Sequence, residues 1–232
     1  MATIYWLVQR LLVCAFVFLC MIVLGINSTQ GTIITMDANY EFSNGTAPAG
    51  STPWLTAEFN DLGTTGSVTL TLTATNLTGT ESVKEWFLNL DPTLNLSNLS
   101  FSVPTKTGSF DDPTISKGTD AFKADGDGYY DINIEFATAG DNTHRFTAGD
   151  SISYIISGIP SLTANSFYFN STQGGGHGVY LMAAHVQNTP GGGSGSGWVA
   201  PLQNPVPEPS TIILLSIGVF GLLAFAFRQH NI

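Results

Sequence analysis

The middle of the chain alternates apolar and polar residues with a period of two. The run SVTLTLTATNL places Val68, Leu70 and Leu72 between threonines, and VKEWFLNLD, YDINIEF, SISYIISG and GVYLMAAHVQN show related patterns. Such alternation is typical of half-buried strands. Turn clusters such as NDLGTTG, DGDG and TAGD separate the runs at the spacing of short strands. The pattern predicts an all-β fold, an antiparallel β-sandwich of jelly-roll-like or immunoglobulin-like type.

The N-terminal segment has the layout of a secretory signal peptide. Arg10 precedes fifteen uncharged and mostly apolar residues, and the small and polar residues INSTQGT follow them. The apolar run is short for a membrane span, which needs about 20 residues. We interpret residues 1–31 as a signal helix that is cleaved after Gly31, with an uncleaved anchor as the alternative. The protein is therefore expected to be exported.

The C-terminal segment predicts a short transmembrane helix at residues 211–227. These seventeen residues carry no charge, and as a helix they would rise about 25 Å, near the lower limit for a hydrocarbon core. Arg228 follows at once, and positive residues favour the cytoplasmic side. The expected orientation is body outside and tail inside, with Arg228 as the membrane stop. A plain anchor with a proline-rich stalk is the alternative.

Just before this helix lies Val206-Pro207-Glu208-Pro209-Ser210, whose prolines favour an extended backbone. Together with the helix and Arg228, this segment resembles the sorting signal of the PEP-CTERM proteins of Gram-negative bacteria. The resemblance lies in a proline-containing motif, a short glycine-containing apolar helix and a basic end, where the family usually has several arginines and this chain has one. It implies recognition by an exosortase, an inner-membrane-anchored intermediate, and a final place at the cell surface or in an extracellular, exopolysaccharide-containing biofilm matrix. The residues assigned to the sorting motif are Val206, Pro207, Glu208, Pro209 and Ser210.

The composition of the segment between the two apolar ends excludes one class of binding partner. This segment holds sixteen of the seventeen Asp and Glu residues but five of the seven Lys and Arg residues. This acidity argues against a nucleic-acid partner, because phosphate binding needs clustered basic residues. Both cysteines, Cys14 and Cys20, lie in the N-terminal apolar run. Once that run is removed, the protein has no disulfide and no cysteine nucleophile.

The predicted organisation has four parts. Residues 1–31 form the signal peptide, residues 32–189 the β-sandwich ectodomain, residues 190–205 a Gly/Ser-rich linker, and residues 206–232 the sorting signal. The linker assignment follows from the run PGGGSGSG, a composition that gives a flexible tether. Trp198 interrupts this run, and a pure linker has little use for a tryptophan.

One acidic segment suggests a metal site. Asp125, Asp127 and Asp131 follow the pattern D-x-D-G-x-x-D, in which glycines allow a tight loop and carboxylates supply the oxygen ligands that calcium prefers. The bidentate Glu that closes an EF-hand is not at its place. The alternative is an acidic turn that opens a strand.

Other candidate chemistry is weaker, and we expect no catalytic activity. Glu58, Glu85 and Glu135 are candidates for a glycosidase pair, which the sequence alone cannot match up. His185 is expected to be a buried, hydrogen-bonded histidine. The ligand-binding residues stay unknown. A secreted carbohydrate-binding module or carbohydrate-active enzyme is the alternative function, with an aromatic platform drawn from Trp54, Trp86, Tyr129, Tyr130, Tyr168 and Phe169.

Overall fold

The computed structural model describes residues 31–190 and 195–202, which form twelve strands and two 3₁₀ turns. No helix within these two ranges is long and apolar enough to cross a membrane. The predicted signal helix and the predicted helix 211–227 lie outside the described residues. The strands are β1 (Ile33–Glu41), β2 (Leu55–Asn60), β3 (Ser67–Thr73), β4 (Ser82–Leu88), β5 (Ser100–Phe101), β6 (Thr105–Thr107), β7 (Thr114–Ala124), β8 (Asp127–Glu135), β9 (Phe146–Thr147), β10 (Ser151–Ser157), β11 (Met182–Gln187) and β12 (Ser196–Pro201), and the turns are Leu96–Asn98 and Ala164–Phe167.

All pairings between these strands are antiparallel, which confirms the predicted all-β antiparallel class. The strands form one hydrogen-bonded sheet in the order β5-β10-β3-β2-β1-β12-β11-β4-β8-β7, with β6 beside β10 and β9 beside β4. The sheet curls into a half-barrel, so it differs from a sandwich of two separate sheets. Bulges in β1, β4 and β7 accompany this curvature, since a bulge bends a strand and increases its twist.

The concave face of the sheet encloses the main core. Leu70 and Leu72 of β3 and Ile132 and Ile134 of β8 are fully buried in the same cluster, although five strands lie between β3 and β8 in the sheet. Only a curled sheet brings these side chains together. The alternation seen in the sequence thus marks the buried face of each strand.

The opposite face of the sheet carries a second, smaller cluster of buried side chains. In β4, Trp86 lies in the main core and its neighbour Phe87 lies in this second cluster. The Phe87 ring lies 5.3 Å from that of Trp198 and 5.6 Å from that of Tyr130, measured between centroids. Both faces of the second half of β4 are therefore covered, which explains why Trp86, Phe87 and Leu88 follow one another without a polar residue.

The predicted linker is wrong where it covers residues 196–201. These residues form β12, which pairs with β1 on one side and with β11 on the other, in the middle of the sheet. Trp198 is 8% exposed and Val199 is fully buried. Strand pairing on both sides outweighs the weak strand propensity of the flanking Gly and Ser residues. The β-sheet body therefore extends to Pro201.

Asp61 joins three segments at one end of the sheet. Its carboxylate accepts hydrogen bonds from the backbone N–H groups of Thr32 (2.8 Å), Gly63 (3.0 Å) and Ala164 (3.3 Å). Burial acts to raise the pKa of Asp61, but the three N–H donors outweigh it and lower the pKa below its ordinary value.

Replacing Asp61 by alanine is expected to lower the free energy of unfolding by about 2–4 kcal/mol, because the buried N–H donors lose their acceptor. Because the pKa of Asp61 is lower in the folded than in the unfolded protein, the ionised carboxylate stabilises the fold at pH values above its unfolded-state pKa. This stabilisation is lost as the pH falls through the folded-state pKa. Thermal midpoints recorded between about pH 6 and pH 3 should therefore fall less in the alanine variant than in the parent. Parallel curves would contradict this role of Asp61.

Candidate functional site

The predicted calcium segment forms the β7–β8 hairpin. Ala124 pairs with Asp127, so Asp125 and Gly126 are the two loop residues, and both have positive φ angles, 50° and 71°. Two such residues are the mark of a type I′ turn, for which Asp-Gly is a preferred sequence. The acidic motif thus occupies a tight hairpin turn and the start of β8.

The hairpin separates the ends of the acidic motif. Asp131 lies four residues along β8 from Asp127, a distance of about 13 Å. Its carboxylate instead accepts hydrogen bonds from the N–H groups of Leu90 (3.0 Å) and Asp120 (2.9 Å). The structure therefore does not bring Asp125 and Asp131 to one site. Within the described residues, no group of three or more His, Cys, Asp or Glu side chains is placed to hold a metal ion.

Asp131 lines a small cleft that the sequence did not reveal. The cleft has a volume of about 140 Å³ and lies where the segment after β4, the bulge of β7, β8 and the segment after the second 3₁₀ turn meet. Carboxylate, amide and hydroxyl groups share its wall with one aromatic ring and several aliphatic side chains. The lining residues that carry this chemistry are Asp91, Thr119, Asp120, Asp131, Phe169, Asn170 and Thr172.

A buried asparagine fixes one wall of the cleft. Asn89 is 3% exposed, and its side-chain amide donates hydrogen bonds to the carbonyls of Phe169 (3.1 Å) and Leu181 (3.3 Å). These bonds hold the segment that carries Phe169 against the end of β4. The sequence signal for this site was Asn89, the polar residue that interrupts the run EWFLNL before Leu90, and by itself it does not indicate a partner 80 residues away.

Two of the three candidate glutamates are neighbours on the face opposite the main core. Glu85 of β4 pairs directly with Glu135 of β8, whereas Glu58 lies on β2. Burial acts to raise the pKa of Glu85, but His185 and Lys84 outweigh it and hold the pKa below its ordinary value. A glycosidase acid needs a raised pKa. Glu85 is thus suited to an ion pair and not to proton donation.

His185 belongs to the same row of side chains. Its ring stacks on Trp198 at a centroid distance of 4.7 Å, and its Nδ1 lies 3.7 Å from Glu85 Oε1. The side chain is 15% exposed. The prediction was a buried, hydrogen-bonded histidine, but the residue is only partly buried and its Nδ1 makes no hydrogen bond within the described residues. Stacking on Trp198 and the nearby Glu85 carboxylate position this ring.

The aromatic platform predicted from the sequence does not form. Trp54, Trp86 and Tyr130 are buried, the first two in the main core and the third in the second cluster. Tyr168 is exposed, and Tyr129 and Phe169 are partly exposed. The Tyr129 ring is covered by the Lys123 ammonium group at 4.8 Å, and of these three rings Phe169 lines the cleft.

The sorting residues Val206 to Ser210 and the membrane stop Arg228 lie outside the described residues. A family model for the PEP-CTERM protein-sorting motif matches residues 205–229. The resemblance inferred from the Pro-Glu-Pro sequence and the tail that follows it is therefore confirmed. No curated protein and no solved structure matches the chain.

Proposed function

Because the chain carries a PEP-CTERM protein-sorting motif, we propose that it is an exported, non-catalytic protein of the cell surface or extracellular matrix. Its tail holds it in the inner membrane until an exosortase acts near Pro207-Glu208-Pro209. The observation that carries this proposal is the family match at residues 205–229, which begins four residues after the last strand ends at Pro201. Processing there leaves the whole β-sheet body on the released side.

The arrangement of acidic residues supports a non-catalytic role. The neighbouring pair Glu85 and Glu135 lies outside the cleft, and the pKa of Glu85 is lowered instead of raised. In the cleft, the two carboxylate oxygens of Asp131 already accept backbone hydrogen bonds, and Asp91 accepts two from Thr93. These carboxylates act as structural acceptors, which suits a binding or scaffolding protein better than an acid–base catalyst.

The proposal is tested by the mass and location of the protein recovered from producing cells. Membrane, envelope and medium fractions are separated, and the intact mass of the protein in each is measured. We expect a mature form outside the inner membrane that has lost both its signal peptide and the residues after the Pro-Glu-Pro motif. A full-length tail found only in the inner membrane would instead favour a plain anchor.

Carbohydrate binding is the second candidate function, and the cleft is the observation that favours it. Its mixture of hydroxyl, amide and carboxylate groups beside the Phe169 ring suits the hydroxyls and apolar face of one sugar unit. If the mature protein is retarded in gels that contain a neutral polysaccharide, Phe169→Ala is expected to abolish most of the retardation. Tyr168→Ala, next to the cleft but not part of its lining, is the matched control. Equal retardation of both variants would show that the cleft is not the polysaccharide-binding site.

A further inference from the structure

One end of the sheet exposes large apolar side chains close together. Ile33 begins β1 and pairs with Asn60 at the end of β2, and Leu62 follows two residues later. Ile33 is 56% exposed and Leu62 is 70% exposed. Single exposed apolar residues are common on protein surfaces, whereas clustered ones mark an interaction surface. Ile33 and Leu62 directly follow Thr32 and Asp61, which are joined by a backbone hydrogen bond of 3.2 Å.

A third segment completes this surface. The backbone N–H of Ala164 donates to Asp61, and the ring of Phe167 stacks on that of Phe59 at 4.4 Å, so the segment around the second 3₁₀ turn lies against the ends of β1 and β2. Tyr168, 41% exposed, follows directly. We call residues 31–36, 59–66 and 158–170 together the sheet tip.

The sheet tip is also poor in charge. It contains one charged residue, Asp61, which is 6% exposed and is saturated by backbone N–H donors. The body as a whole is strongly acidic and is repelled by the negative surface of a bacterial membrane. The sheet tip itself therefore presents no exposed charge to anionic lipids. The acidic residue beside it is Asp91, whose backbone N–H donates to the Ser166 carbonyl (2.8 Å).

The course of β12 directs the chain toward this tip. Pro201 lies opposite Ala38, and β12 runs antiparallel to β1, so it points toward Ile33, which lies five residues or about 17 Å further along. Nine residues separate Pro201 from the uncharged stretch that begins at Thr211, and the fully extended distance between these two residues is about 36 Å at most. While the tail is anchored, the body is thus held close to the bilayer.

The β7–β8 hairpin also extends toward this end of the sheet, but it is less suited to contact with lipid. Its strands, β8 and β7, lie three and four positions from β12 in the sheet. Sheet twist rotates each successive strand by roughly 20–25°, so the hairpin points in a different direction from the end of β12. Its turn carries Asp125, which is exposed. Both the direction of β12 and the exposed carboxylate of Asp125 favour the sheet tip over the hairpin as the surface that contacts lipid.

We propose that the sheet tip docks on the lipid surface while the tail holds the chain in the membrane. Ile33 and Leu62 enter the headgroup region, and Tyr168 lies at its boundary, where an amphipathic ring is favoured. This docking rests on the anchored stage of the proposed function. It places the body against the bilayer in a fixed orientation and presents the short connection after Pro201 at the membrane surface.

The test uses the signal-cleaved chain, residues 32–232, reconstituted through its tail in vesicles of phosphatidylethanolamine and phosphatidylglycerol. Both native cysteines lie in the removed segment, so a single Leu62→Cys carries a fluorophore that a spin-labelled lipid headgroup quenches. Leu62 is well exposed, so the substitution leaves the core intact. Thr80→Cys is the matched control, because it is exposed in the β3–β4 connection at the other end of the sheet. Asp125→Cys reports on the hairpin.

We expect several-fold stronger quenching at position 62 than at positions 80 and 125. If the chain floats with the vesicles and position 62 is quenched no more than position 80, the docking is overturned while the anchored stage stands. Stronger quenching at position 125 than at position 62 would also overturn it, in favour of the hairpin. If the chain does not float with the vesicles, the anchored stage fails, and the docking fails with it.

Discussion

Truncating Trp198 to alanine is expected to lower the free energy of unfolding of the mature protein by about 3 kcal/mol, within the range for large aromatic residues in a well-packed site. The indole packs on the His185 ring at 4.7 Å and on the Phe87 ring at 5.3 Å, and alanine would leave a cavity between them. In a body of this size, the loss corresponds to a fall of about 6–12 °C in the thermal midpoint. Circular dichroism during urea and thermal unfolding measures both quantities.

The control for this substitution is Val103→Ala. Val103 is 90% exposed, so its truncation should change the free energy of unfolding by less than about 0.5 kcal/mol. If Trp198→Ala behaves like this control, then residues 196–201 contribute no packing energy and act as a tether after all. A large difference between the two variants establishes β12 as part of the folded body.

Replacing Pro207, Glu208 and Pro209 together by alanine is expected to block sorting almost completely. The family match places these residues at the start of the PEP-CTERM motif, and the two prolines bias the chain toward the extended form that a processing enzyme can hold. The precursor should then accumulate with its tail in the inner-membrane fraction, and the mature form should be lost from the medium. Intact mass in each fraction measures the outcome.

A matched control lies just outside the motif. Gln203 and Asn204 precede the matched residues 205–229, and alanine at both positions should leave the mature mass and its distribution unchanged. Normal processing of the triple variant would show that the Pro-Glu-Pro sequence does not direct sorting in this chain. Failure of both variants would instead indicate that the connection as a whole, and not the motif, is required.

The sequence was most informative where the signal was local. The alternation of Val68, Leu70 and Leu72 fixed the buried face of β3, because a strand presents every second residue to the same side. The sorting tail was likewise recognised from a contiguous motif, and the family match confirms it. Neither inference depended on which distant segments meet in the folded protein.

The sequence misled where composition and long-range pairing disagreed. Glycine and serine around Trp198 indicated a linker, but hydrogen bonding to β1 and β11 makes a strand of the same residues. For Asp125, the acidic glycine-rich pattern fits both a calcium loop and a type I′ turn, and strand pairing decided for the turn. The cleft around Asp131 was not predictable, because its lining comes from segments separated by up to about eighty residues of chain.

The position of β12 also determines when the protein can acquire its structure. Without β12, the sheet separates into one part that ends at β1 and another that begins at β11, so this strand joins the two. Ala38 and its partner Pro201 lie more than 160 residues apart, and such distant contacts form late and slowly. A chain that crosses a membrane from its N-terminus cannot complete this sheet until nearly the whole body has emerged. In an exported chain, the sheet can therefore be completed outside the membrane only after the residues up to Pro201 have crossed it.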